Sequence, residues 1–136
     1  MKKQIYKSAG KRGLFDEQFN KEHLTNMGNP IERLGNVIDF EWFRDELEGK
    51  LLNVSKKSNA GAKPFDVVMM FKIMILQRFY GLSDKQVEYQ IVDRSSFKHF
   101  LGLETGDKVP DEKTISMTIM KLRMLLCMIL NHWTNY

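Results

Sequence analysis

A single cysteine, Cys127, is the only thiol in the 136-residue chain. One thiol forms no intrachain disulfide and no cysteine-rich zinc site, so a stapled secreted scaffold and a zinc ribbon are both excluded. No apolar stretch follows the basic residues of the opening MKKQIYKSAGKRG, so these residues do not form a secretory leader, and a cytoplasmic location is the expectation. No segment alternates apolar and polar residues for long enough to make a strand. Gly10, Gly13, Gly28 and Gly35 fit no phosphate-loop spacing. His23, His99 and His132 are too scattered to suggest a metal site, and Cys127 sits in an apolar run where an inert thiol is expected. Carboxylates are plentiful, but on helix surfaces they are solvated charges by default. No nucleophile has an identifiable base. Read by itself, the sequence offers no enzyme, cofactor or metal.

What is present is the material of one folded domain. Hydrophobic residues make up 43% and charged residues 28% of the chain, which is ordinary for a globular protein with a real core. The formal net charge is +4, and its distribution says more than its sum. Lys2, Lys3, Lys7, Lys11 and Arg12 all precede the first acid, Asp16, whereas residues 29–110 are electrically balanced. Residues 1–28 therefore read as a basic tail. Such a tail suits phosphate contacts through counterion release, and a solvated terminus accounts for the same charges.

Helical punctuation follows. Asn29-Pro30 reads as an N-cap and first helical residue, opening a short helix through Ile31 and Leu34. Asp39 caps a second, with Phe40, Trp42, Phe43, Leu47 and Leu51 near helical spacing. The polar stretch from Asn53 to Lys63 reads as a linker. From Phe65 to Tyr80 nearly every residue is apolar, with Asp66, Lys72, Gln77 and Arg78 as interruptions. A helix apolar on most of its circumference is buried among neighbours, and this one is too short and too charged to span a bilayer. Gly81 ends it.

Ser83 and Gln86 form a capping box for the next helix, with Val87 and Ile91 on its apolar face. A turn at Val92-Asp93-Arg94 leads to a further helix, capped by Ser95 and ended by Gly102, whose apolar side is Phe97, Phe100 and Leu101. The expected fold is therefore all-α, a small multi-helix domain containing a helix-turn-helix-like pair over Ser83 to Leu101. In that arrangement the second helix offers its outward N-terminal residues to the major groove. Here those are Arg94, Ser95, Ser96, Lys98 and His99. Arg and Lys donate to guanine edges or phosphates, and serine hydroxyls suit phosphate oxygens. The first helix carries Asp84 and Glu88, which DNA repels. Two helices that simply pack, with polar residues facing water, account for the same periodicity.

The order of several short motifs narrows the reading. Gly61-Ala62-Lys63-Pro64-Phe65-Asp66, Met70-Phe71-Lys72, Leu76-Gln77 and Tyr80-Gly81-Leu82-Ser83-Asp84 are followed by Glu88-Tyr89-Gln90, Asp93-Arg94-Ser95-Ser96-Phe97 and Phe100-Leu101-Gly102-Leu103. The series ends in Gly106-Asp107-Lys108-Val109-Pro110-Asp111-Glu112-Lys113-Thr114-Ile115. Across about residues 29–115 this resembles the InsH-type N-terminal domain of IS-five-type insertion-sequence transposases. The resemblance implies binding to double-stranded DNA at the terminal inverted repeats of a mobile element. It also implies that cleavage belongs to a separate RNase-H-like domain, whose three carboxylates hold divalent metal.

After Ile115 the chain departs from the family pattern, which has an aromatic residue and an arginine on a polar helix. Residues 116–136 instead crowd Met117, Ile119, Met120, Leu122, Met124, Leu125, Leu126 and Cys127 onto what looks like every helical face. The expectation is a transposase fragment with a disrupted reading frame, the apolar segment having no place in an already complete core. The alternative is a helical interaction module that dimerises through this segment, or contacts an intact transposase, and meets DNA weakly or not at all.

Overall fold

The computed structural model describes residues 13–51 and 63–133, with side chains through Cys127. Seven α-helices and one short 3-10 turn account for the secondary structure of the described residues, and no strand occurs among them. The order is α1 (Asp16–Asn26), α2 (Pro30–Val37), a 3-10 turn (Phe40–Phe43), α3 (Arg44–Leu51), α4 (Val67–Tyr80), α5 (Asp84–Asp93), α6 (Ser95–Leu101) and α7 (Glu112–Trp133). The fold is all-α, as the periodicity requires. Residues 53–62 of the expected linker lie outside the described residues.

Local chemistry sets most boundaries. The Asn29 side chain accepts the Ile31 N–H at 3.2 Å, with Pro30 at the first helical position. Asp39 accepts the Glu41 N–H at 3.1 Å, although the segment it opens is a 3-10 turn before it becomes α3. Asp66 accepts the Met69 N–H at 2.9 Å and caps α4, which stops at Gly81 in the left-handed conformation, φ +63°. Ser83 and Gln86 make the reciprocal capping box of α5. One expected cap is corrected. Ser95 is the first residue of α6, and the extended residue before it, Arg94, takes the cap position without a side-chain cap bond. The turn between α5 and α6 is thereby reduced to that single residue.

The core is organised around α4. Val67, Val68, Met69, Met70, Ile73, Met74 and Leu76 are buried on it, and even Gln77 is 5% exposed. The 3-10 turn, α3, α5, α6 and α7 all pack against it. Phe40 meets Phe71 and Phe100 edge to face, with centroids 6.2 and 5.7 Å apart, so one aromatic cluster ties the turn, α4 and α6 together. An ionic clasp joins α3 to the start of α4. Arg44 donates to both carboxylate oxygens of Glu41, at 2.6 and 3.0 Å, and to Asp66 Oδ2 at 2.7 Å. Glu41 is held below the usual carboxylate range by its bonds to Arg44. Burial pushes the Asp66 carboxyl up, but the Arg44 and Met69 hydrogen bonds outweigh it and the net shift is downward.

The expectation that the apolar segment after Ile115 has no place in the core is overturned. Helix α7 runs through residue 115 without a break, and its apolar residues are sorted by face. Ile115, Ile119, Leu122 and Leu125 are buried against the core, while Met117, Met120 and Met124 are more than half exposed. The buried set advances by four, three and three residues along the helix, which keeps it on one side. Cys127 is exposed rather than embedded. The core is therefore incomplete without α7, which packs on α4, α5 and α3.

Ending the chain at Ile115 is expected to abolish cooperative folding. It removes Ile119, Leu122 and Leu125, and truncating a single buried Leu or Ile costs roughly 2–5 kcal/mol against a total stability of about 5–15 kcal/mol. A thermal melt by circular dichroism checks this, and a sharp transition near the wild-type midpoint would show that the core closes without α7.

Asp66 gives the acid dependence. Its folded carboxyl titrates below its unfolded value, so its contribution is present above about pH 4 and fades as the pH falls through the folded value. Asp66→Asn keeps the cap acceptor but not the charge, so its melting midpoint should fall less than that of wild type between neutral pH and about pH 3. Asp66→Ala removes the cap as well and should cost about 1 kcal/mol more at neutral pH. Parallel acid-induced slopes for wild type and Asp66→Asn would refute the linkage.

Candidate functional site

Helix α6 is rooted by Phe97, Phe100 and Leu101, all buried, so its remaining residues point away from the core. Ser95 and His99 are exposed, and Ser96 and Lys98 are half-buried on the flanks. These four side chains line one open cleft of about 790 Å³ between α6 and α1, together with Leu14, Phe15, Lys21, Leu24 and Thr105. The sequence candidates on α6 are thus brought together.

Arg94 is held apart from them. Its guanidinium carbon lies 5.4 Å from the centroid of Phe97. It also neighbours Tyr80, whose ring is 5.3 Å from that of Phe97. Burial pushes the Tyr80 hydroxyl above its ordinary range, and the Arg94 charge offsets part of this. Arg94 is exposed and stacked, a cation on an aromatic face rather than a member of the cleft. The remaining candidates, Lys2, Lys3, Lys7, Lys11 and Arg12, lie outside the described residues.

The acids of α5 are engaged inside the protein. Asp84 Oδ1 accepts from Gln77 Nε2 at 2.6 Å, and Glu88 Oε2 accepts the Glu112 N–H at 2.8 Å at the start of α7. Both carboxylates therefore have structural work that their exposed appearance in the sequence conceals. Glu17, Glu32, Asp93 and Glu104 line the α6 cleft beside Lys21 and Lys98, so the cleft itself carries charges of both signs.

Helix α1 forms the opposite wall. None of its residues is buried, and Phe15 and Phe19 are largely exposed. It is attached to α2 through Thr25, whose hydroxyl lies 2.8 Å from Glu32 Oε2, and through Gly28 at φ +78°. The positive φ at Gly28 favours glycine, since the only atoms a Cβ there would crowd belong to the flexible tip of Arg33.

A second cleft, of about 520 Å³, lies between α2 and α6 and shares Ser96 and His99 with the first. Lys72 of α4 opens into it, a residue the sequence shows only as an interruption of an apolar run. Among the described residues no group of three His, Cys, Asp or Glu side chains is placed to hold a metal ion, and no helix is long and apolar enough to cross a membrane.

Comparison with known proteins agrees with this architecture. A family described as a transposase domain (DUF772) matches residues 18–121, from α1 into α7. No curated protein and no solved structure matches the chain. The family match covers most of the chain, with the α5–α6 pair and the first half of α7 inside it. The chain belongs to the transposase-domain family.

Proposed function

We propose that this domain binds double-stranded DNA for a transposase of the IS-five, InsH-bearing type, recognising the terminal inverted repeats of its element. Its role is recognition and assembly of the transposition complex. Strand cleavage falls to the separate metal-binding domain that such families possess, and the helical domain described here occupies the element's ends. The observation that carries this reading is the presentation of α6. Phe97, Phe100 and Leu101 fix the helix to the core, while Ser95, Ser96, Lys98 and His99 stand together on its outer side with Arg94 at its start. Guanidinium, hydroxyl, ammonium and imidazole groups supply donors for base edges and phosphates. The basic residues of the tail add sequence-independent phosphate contacts.

A second reading rests on α7. Met117, Met120 and Met124 form an exposed apolar stripe opposite the buried one, and a stripe of this kind suits a protein partner. That reading expects self-association, or capture of an intact transposase, without affinity for DNA.

Fluorescence anisotropy with an inverted-repeat duplex and a random duplex, each at two salt concentrations, separates the two. Under the DNA reading, wild-type affinity falls steeply as salt rises. Alanine at Ser96, Lys98 or His99 costs about 1–3 kcal/mol on the specific duplex and much less on the random one. Arg94→Ala is scored beside its melting curve, because it also removes the stack on Phe97. Deleting residues 1–12 weakens both duplexes alike and flattens the salt slope. Equal affinity for both duplexes in wild type and every variant would overturn the recognition role of α6.

A further inference from the structure

We propose that Lys72 is a phosphate-binding residue, delivered from the core helix into the cleft between α2 and α6. The inference rests on the DNA reading above and extends that interface beyond α6. Lys72 is half-buried on α4, at the edge of its less covered side with Phe71 and Ile75, while Met70, Ile73, Met74 and Leu76 are buried. Its Nζ stands 5.3 Å from the centroid of Phe40 and 5.6 Å from that of Phe100. Ring faces attract the ammonium but supply no oxygen for its three N–H donors.

The carboxylates lining the cleft, Glu32, Asp39 and Glu41, keep their charges but each already accepts a hydrogen bond, and Glu41 also feels the Lys72 charge. Asp39 accepts the Glu41 N–H, Glu41 is held at both oxygens by Arg44, and Glu32 accepts from Thr25. Among the described residues no carboxylate lies within the 4.0 Å of an ion pair with Lys72. The ammonium is therefore a cation whose position is fixed by two rings and whose donors face a cleft. Ser96 and His99 line the same cleft and belong to the helix proposed to meet DNA. An ammonium, a hydroxyl and an imidazole around one opening fit a single oxyanion, and beside α6 that oxyanion is a phosphate of the DNA backbone. Because the rings already restrict the side chain, it loses less freedom on binding than a surface lysine does.

The test uses the full chain and a short duplex of arbitrary sequence, because a phosphate contact is independent of sequence. Lys72→Met keeps an unbranched apolar stem against the two rings and removes the charge. Its plot of log affinity against log salt should be shallower than that of wild type by about 0.9, and Lys72→Arg should restore most of the slope. Footprinting of wild-type lysines with an amine-reactive reagent, needing no variant, should show Lys72 protected by the duplex. A folded Lys72→Met protein with the wild-type slope overturns the inference and leaves the DNA reading standing. So does protection of Lys98 without protection of Lys72. A wild-type chain that binds no duplex at any salt overturns both.

Discussion

Helix α4 has to be covered on nearly every side, and the rest of the molecule is arranged by that requirement. Eight of its residues are buried, from Val67 to Gln77, and they do not share one face. A single partner helix covers one stripe of such a helix, so several are needed. The 3-10 turn and α3 cover one side through Phe40, Phe43 and Leu47, while α5, α6 and α7 close the others. Helix α1 contributes no buried residue and stands outside this arrangement. The division has a functional sense. The parts that must be rigid to present α6 are those that cover α4, and the wall of the α6 cleft is formed by the one helix the core does not need.

The stops and starts of helices were legible because they depend on residues a few positions apart. Asn29-Pro30, Asp39, Ser83 with Gln86, Gly81 and Gly102 all act where their local chemistry puts them. Ser95 misled because a good capping residue beside a helix start is not always the cap. The extended backbone falls at Arg94, and the serine enters the helix. Helix α7 misled for a different reason. Its two faces are both apolar, so period alone cannot say which is buried. The distinction is in side-chain kind, since Ile115, Ile119, Leu122 and Leu125 go inside while Met117, Met120 and Met124 remain outside. Helix α1 was hidden in a segment that reads as a basic tail, and nothing apolar repeats in it strongly enough to reveal a packed face.

The site divides in the same way. The α6 residues were legible as a group because they are neighbours in one short helix whose buried side is unmistakable. Their surroundings were not legible. The cleft that Ser96 and His99 share with Lys72 draws its walls from residues 29–41, 72 and 96–100. Such distances along the chain are bridged only by the packing of α2 and α6 around α4. The one signal the sequence held was a lysine in an apolar run, which a hydrophobic pattern registers as noise. A charged side chain there needs an exit for its head group, and the question that finds it is where that head group emerges.

Charge placement matters more than charge sum for the proposed interface. Residues 29–110 carry no net charge, and several of their carboxylates are held by donors within the protein. Glu41, Glu48 and Asp66 surround Arg44, Glu46 meets Lys50, Asp84 meets Gln77, and Glu88 meets the start of α7. Glu41, Glu48 and Asp66 share the single Arg44, while Glu46, Asp84 and Glu88 have one donor each. The donors on Lys72, Ser96, Lys98 and His99 have no such carboxylate partner among the described residues, and all four lie at the clefts around α6. Pairing thus separates the charges in space without changing their sum. Along α6 these donors stand beside Asp93 and Glu104, so under the proposed DNA reading recognition rests on the placement of individual donors rather than on net charge.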